Sequence, residues 1–530
     1  MVASHQYYTE NDIKDELGIE DSIDEGLIYR NIRSGTIKEI HVKDFGAKGD
    51  GIKNDSSAIK KAITVLRRSP MGSTLVFEKD KTYYISSGKY ALDLRDLDKV
   101  NVNGNNCTIL VKPIMSFCRI DNCVDLEIKG LNFDYKTKPY AVAELINVFE
   151  DGLIRVKTDS SLNIRGTYNQ PFSDYFGFVD RPDSRYHIGI SEYKVVNRDQ
   201  NLYDVKCNNN FADRDRRIDM LKNDKYKFVV PMPHVGQVIE HAVLMEHNKN
   251  ILLRECSIRC AAKYMFYIKE NKGFVYFNKV NVKANPNDED LPIVGWRDGF
   301  YCKDNRAKLV WDNCKINNLF DDIVHISSTV LHVQQVQDKC ISLKWKNHER
   351  IFNSARVGDE IIFYNEDTGE FLGSSIILGV NNFEDHIDIR IKDEIEDLVP
   401  EYACKAVIWP LTSPGAVIKY CDFHGTFRFN SSLFVKSSNL HVTRMWTDIK
   451  VMRENVFGKN ILFSDCKIDF DEEKDKYIHV DSNNINWENA INPYCMSDVV
   501  FFNCKIKNDV IQMGKIETEN SVVRFIKSYY

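Results

Sequence analysis

Asp298, Asp321 and Asp322 are the residues of this chain whose type and spacing best suit chemistry. They fall in one polar-rich stretch, VGWRDGFYCKDNRAKLVWDNCKINNLFDDIVHISS, residues 294–328. Carboxyls held close together repel when ionised, so one keeps a proton or a cation intervenes. That is the condition for acid/base work. A carboxyl with raised pKa protonates a leaving oxygen while an ionised one activates water or attacks, as glycoside hydrolysis requires. Two other readings stand beside it. A single Asp is often a turn residue bonding local amides, and clustered carboxylates also bind calcium. Three acids at matching positions favour catalysis, and the expectation is a site with no metal and no other cofactor.

Several neighbours could hold a substrate. Trp296, Arg297, Tyr264, His325, Arg428 and Arg453 would form a groove of aromatic platforms and hydrogen-bond donors. An Arg on an outer face can equally be a solvated side chain, and His325, between Ile323 and Ile326, a packed strand residue.

What must position these residues is a repeat. The pattern apolar, any, apolar, two mostly polar, apolar or Cys, any, apolar reads LEIKGLNF at 126–133, ILLRECSI at 251–258, VYFNKVNV at 275–282 and LVWDNCKI at 309–316. It returns as AVIKYCDF at 416–423, LHVTRMWT at 440–447, ILFSDCKI at 461–468 and VVFFNCKI at 499–506, with a degenerate VNGNNCTI at 102–109. Its sixth position is Cys107, Leu131, Cys256, Val280, Cys314, Cys421, Met445, Cys466 and Cys504. Cys107 and Leu131, Cys256 and Val280, and Cys421 and Met445 are each 24 residues apart. Alternation of period two marks strands, and strands at a fixed step mark the coils of a solenoid.

The register places the acids. Discounting the polar break ANPNDEDLP at 284–292, Asp298 lies about eight residues past Val280, while Asp321 and Asp322 lie seven and eight past Cys314. All three occupy one angular position on coils about 4.8 Å apart. The same count finds Tyr264 after Cys256, Arg428 after Cys421 and Arg453 after Met445.

The repeat also explains the 14 cysteines, which form no CxxC and no Cys/His zinc spacing. Those at the repeat's sixth position read as an inward stack of reduced thiols. A net charge of −6 without basic runs argues against nucleic acid and leaves a neutral glycan as the better partner. No stretch is apolar enough to span a membrane. The first residues, MVASHQYYTENDIKDELGIED, show no leader pattern. The location is therefore cytoplasmic, or extracellular or periplasmic if a leader has been removed. Oligomeric state is open.

VKDFGAKGDGIKNDSSAIKKAI at 42–63 resembles the opening of the pectate-lyase-like β-helix superfamily. Asn54 or Asp55 would N-cap a helix with Ala58, Ile59, Ala62 and Ile63 on one face, suited to covering the end of the solenoid. Two gaps in the register, holding strand signals of their own, read as inserted domains. The expected fold is thus all-β, a right-handed parallel β-helix with a capping helix and two inserted small β-barrels or sandwiches. Its expected divisions are an extension 1–41, β-helix 42–133, insertion 134–245, β-helix 246–329, insertion 330–412 and β-helix 413–530, with a loop near 470–495.

The spacing of the single Asp and the Asp-Asp pair resembles polygalacturonases of glycoside hydrolase family 28, whose later Gly-His-Gly and Arg-Ile-Lys elements are missing here. It is more similar to glycoside hydrolase family 110, the α-1,3-galactosidases. That resemblance implies an inverting, metal-independent exo-hydrolase of terminal α-linked galactose, with Asp298, Asp321 and Asp322 as its acids. This chain reads RDGF and DDIVHISS where the family pattern has Ala-Asp-Ala-Thr and Asp-Asp-Ala-Thr-Asn-Val-His. The alternatives are an endo-acting polygalacturonase-like hydrolase, a polysaccharide lyase, or a glycan-binding tailspike-like protein.

Overall fold

Each coil turns a corner at a residue of positive φ, the one before the sixth position of the repeat, save that Ser437 holds this place in the coil where the count from Met445 would put Arg444. These are Asn106, Gly130, Glu255, Lys279, Asn313, Tyr420, Ser437, Asp465 and Asn503, with φ between 47° and 67°. The left-handed region costs an L-residue about 1–2 kcal/mol, least for Asn, Asp and Gly. Glu255, Lys279 and Tyr420 hold it between strands that are each paired to a neighbouring coil.

The molecule is described from a computed structural model, covering residues 9–20, 38–112, 115–169, 176–181, 184–208, 214–223, 226–233, 241–283, 294–345, 355–365, 371–396, 398, 400, 404–446, 458–470, 478–479, 498–507 and 522–526. It is a right-handed parallel β-helix. Three strands make a coil, as in Tyr264–Lys269, Lys272–Asn278 and Asn281–Val282, each paired in parallel with its counterpart one coil on. We call these positions the first, second and third sheets.

Inside, like stacks on like. The corner column runs Cys107, Leu131, Cys256, Val280, Cys314, Cys421, Ser438, Cys466 and Cys504. The thirteen described cysteines are all free thiols. Ser438, not Met445, occupies the column, because Asp422 pairs with Asn439 and that coil is only 17 residues long. Met445 pairs instead with Phe427 of the first sheet. At the corner between first and second sheets, Asn248, Asn271 and Asn305 form a buried ladder. Asn248 donates to Asn271 Oδ1 at 2.9 Å and Asn271 to Asn305 Oδ1 at 3.0 Å. Each side-chain oxygen also accepts the backbone N–H of the coil before, which satisfies polar groups that burial would otherwise strand.

The helix Ser56–Leu66 covers the first coil, burying Ala58, Ile59, Ala62, Ile63 and Leu66 in the solenoid core. Asp55 precedes it, but its buried carboxylate accepts from the amides of Lys48 and Gly49, tying down the glycine-rich turn. A second helix, Glu10–Leu17, lies outside the solenoid. Its Ile13 and Leu17 sit on an apolar outer stripe of the second sheet: Leu252, Tyr276, Val310, Val417, Phe434, Leu462 and Val500, register partners on successive coils. Glu10 accepts from Lys436 at 2.9 Å and from Ser464 at 2.5 Å.

Two closed antiparallel barrels interrupt the coils. One uses Tyr140–Val148, Leu153–Thr158, Phe176–Arg181, Ser184–Asn197, Leu202–Cys207 and Lys227–Pro231. The other uses Leu331–Gln337, Cys340–Trp345, Glu360–Asn365, Phe371–Asn382, Ile387–Ile391 and Cys404–Ile408. With strands numbered along the chain, both rings run first, second, fifth, fourth, third, sixth. The barrels share one topology. The solenoid resumes at His241–Glu246, earlier than the expected boundary at 246, because that strand pairs with Ser116–Asp121. Of the expected loop near 470–495, all but residue 470 and the strand Ile478–His479 lies outside the described residues. Among the described residues no helix is long and apolar enough to cross a membrane.

Candidate active site

The first barrel enters between third and first sheets, the second between first and second. They therefore flank the first sheet, and its outer face carries the acids. Phe300 pairs with Phe266 on one side and Val324 on the other, so Tyr264, Asp298 and Asp322 fall in one column on successive coils. Backbone bonds confirm the alignment: Met265 N–H donates to Asp298 O at 2.9 Å and Gly299 N–H to Asp322 O at 2.8 Å. Gly299 is required here, since a Cβ would lie 2.7 Å from the Ile323 carbonyl oxygen. That accounts for the RDGF context locally.

Asp298 and Asp322 are each only 3% exposed. His325 Nδ1 lies 2.9 Å from Asp298 Oδ2 and 3.5 Å from Asp322 Oδ2. Arg428, one coil further on and paired with His325, approaches the same Asp322 oxygen to 3.5 Å through Nε. Asp321 is more open, its side chain 30% exposed, and accepts from Arg297 Nη1 at 3.3 Å. Burial raises the pKa of Asp298, and the charge of Asp321 adds to it against the pull of His325. Burial lifts Asp322 to about 7, with Arg428 opposing and the other two aspartates reinforcing. Burial and mutual charge thus favour the protonated form of both buried carboxyls.

One ligand atom each of Asp298, Asp322 and His325 lie within 4.8 Å of one another, so the same three could hold a divalent cation. Two similar sets stand elsewhere among the described residues: Asp121, Glu246 and His247, and Asp422, His424 and His441.

The other expected residues divide. Arg297, His325 and Arg428 join the acids, and Tyr264 stands one coil before them, its ring 4.8 Å from Tyr301. Trp296 corrects its expectation as a sugar platform. It is 4% exposed, belongs to the solenoid core, and packs 5.1 Å from Tyr140 at the base of the first barrel. Arg453 lies outside the described residues. Its expectation was counted from Met445, which the register moves out of the corner column.

Three residues escaped the sequence reading. Tyr267 and Tyr301 extend the His325 column backwards, with rings 5.1 Å apart and Tyr301 4.9 Å from the His325 ring. Their outward alternation with inward Phe266, Ile268, Phe300 and Cys302 was a usable signal. The His187 ring, from the first barrel, lies tilted 3.9 Å from that of Phe320 beside the acids. Burial and the nearby Arg297 charge hold it neutral, its pKa down at about 2. Nothing local in the sequence links it to residue 320.

Residues 40–111 match the family model described as "Rhamnogalacturonase A/epimerase, pectate lyase-like". The opening coils are pectate-lyase-like. The chain is 22% identical over 336 residues to "Alpha-1,3-galactosidase B" of Bacteroides thetaiotaomicron, covering 56% of this chain and 52% of that protein. It thus spans about half the length of the curated relative it matches. Among solved structures, the surface adhesin PfbA of Streptococcus pneumoniae aligns over 93% of this chain and 83% of its own, at 11% identity and a TM-score of 0.35. An endo-xylogalacturonan hydrolase from Aspergillus tubingensis aligns over 93% and 92%, at 9% identity and a TM-score of 0.40.

Proposed function

We propose that this chain is a glycoside hydrolase of the pectate-lyase-like superfamily, using Asp298, Asp321 and Asp322 as its acid/base carboxyls. The observation that carries it is the column of Asp298 and Asp322, buried on adjacent coils and joined through His325. Asp322, its pKa lifted to about 7, still carries part of its proton at neutral pH and is the general acid. Asp321, more exposed and paired with Arg297, is the carboxylate that faces the water. His325 and Arg428 hold the proton-bearing pair in place.

The finer reading is an exo-acting α-galactosidase that inverts without a metal. Two things support the sugar: the likeness to an α-1,3-galactosidase, and barrels that wall both edges of the catalytic sheet, which favours a chain end over a long polymer. Inversion needs acid and base about 6.5–9.5 Å apart, whereas a retaining pair stands about 5–5.5 Å apart. One oxygen of Asp298 and one of Asp322 lie within 4.8 Å of each other, so the inverting reading pairs one of these buried acids with the more open Asp321.

The test is hydrolysis of α-1,3-linked galactosyl trisaccharides and aryl α-galactosides in excess chelator, with the first-formed anomer read by proton NMR. A β-galactose product supports the whole reading, and an α product moves the chemistry to a retaining pair. Release of an unsaturated product absorbing in the ultraviolet would replace hydrolysis by elimination.

A further inference from the structure

We propose that His424, His441 and Asp422 form a zinc-class metal site that ties together neighbouring coils in the C-terminal half of the solenoid. The site lies on the third sheet, apart from the aspartates. The strand Asp422–Phe429 bends at Gly425, φ 147°, with a register shift between Gly425 and Thr426. Arg428 lies beyond that bend, facing Asp322, and His424 before it.

His424 and His441 are direct register partners on adjacent coils, and Asp469 is the partner of His441 on the next. Their rings meet at 4.1 Å between centroids. Two imidazoles so close repel if both are protonated, whereas a shared cation uses their lone pairs. Asp422 Oδ1 stands 3.1 Å from His424 Nε2. That separation is near the edge of a coordination polyhedron with bonds of about 2.0–2.2 Å. One ligand atom from each of Asp422, His424 and His441 already lies within 4.8 Å of the others, so closing the site asks for side-chain rotation only. Asp469 Oδ2 lies 3.6 Å from His441 Nδ1. A carboxylate at ion-pair distance from Nδ1 is placed to become the outer partner of a metal-bound histidine, with Nε2 turned to the ion. Lys467 engages the same Asp469 oxygen at 3.2 Å, which keeps Asp469 in that outer role. Two imidazoles and a carboxylate, partly open to water, suit Zn²⁺ or Co²⁺ rather than calcium or magnesium.

The ligands come from adjacent coils, and a solenoid's stability is a sum of neighbour terms. The ion would therefore act as a staple and leave turnover unchanged.

Chelator-stripped full-length protein is titrated with Zn²⁺ by calorimetry and with Co²⁺ by visible absorption, alongside His424→Ala, His441→Ala and Asp469→Asn. The expected result is one saturable ion per chain, a rise in Tm on loading, abolition in either histidine variant, and about 10-fold weakening in Asp469→Asn. All four side chains are at least partly exposed, so the variants should fold, with circular dichroism as the check. No saturable binding, or binding undiminished in both histidine variants, overturns the proposal. A His247→Ala variant that alone loses the ion would move the site to the Asp121 and Glu246 cluster and overturn it equally.

Discussion

Asp298 and Asp322, on adjacent coils, reach the same nitrogen of one histidine, His325 Nδ1, at 2.9 and 3.5 Å. A single donor can serve one carboxylate fully, so the pair is most comfortable with one proton among its oxygens. His325→Asn is expected to keep the fold and to shift the alkaline limb of the kcat/KM profile, with turnover reduced about 10- to 100-fold. A profile with an unmoved limb would remove His325 from the proton arrangement.

The raised pKa of Asp322 also sets a stability slope. Unfolded, this carboxyl titrates near 4; folded, near 7. The folded state holds the proton more tightly, so the stability it brings is complete below about pH 4 and lost as pH rises to about 7. Asp322→Asn lacks that loss. Its Tm should exceed the parent's at pH 8, and the gap should close towards pH 4, as scanning calorimetry can show.

Activity follows from the same proton. Asp298→Asn, Asp321→Asn and Asp322→Asn should each lower turnover by about 10²–10⁴-fold without unfolding the protein. Near-normal kcat in any one would remove that residue from the chemistry. In the parent, rate should fall above pH 7 as Asp322 ionises.

The asparagine ladder bears on stability alone. Asn271→Leu leaves the Asn248 amide and the Met245 carbonyl without their present partner. A cost of about 1–3 kcal/mol for each stranded group is expected. Denaturant midpoints should fall, with activity per folded molecule unchanged.

How far the sequence was legible depended on whether spacing or tertiary contact carried the information. The parallel solenoid could be read because period-two strands recur and because Cys107, Cys256, Cys314, Cys421, Cys466 and Cys504 keep one column. The column of Tyr264, Asp298 and Asp322 followed from the same count. Counting failed where coil length changed. LHVTRMWT alternates well enough to fit two registers, and the 17-residue coil between Cys421 and Ser438 decided against Met445. Trp296 was misjudged because its fate depends on Tyr140, brought against it by the inserted barrel. His187 and Phe320 meet for the same non-local reason.

The helix Glu10–Leu17 precedes every coil in the sequence, yet its docking stripe runs through Phe434, Leu462 and Val500 and its carboxylate is held by Lys436 and Ser464. Coils can stack in order as they emerge. This helix must wait for the coils up to Val500 before its seat is complete. Until then an apolar track stands open along the nascent solenoid.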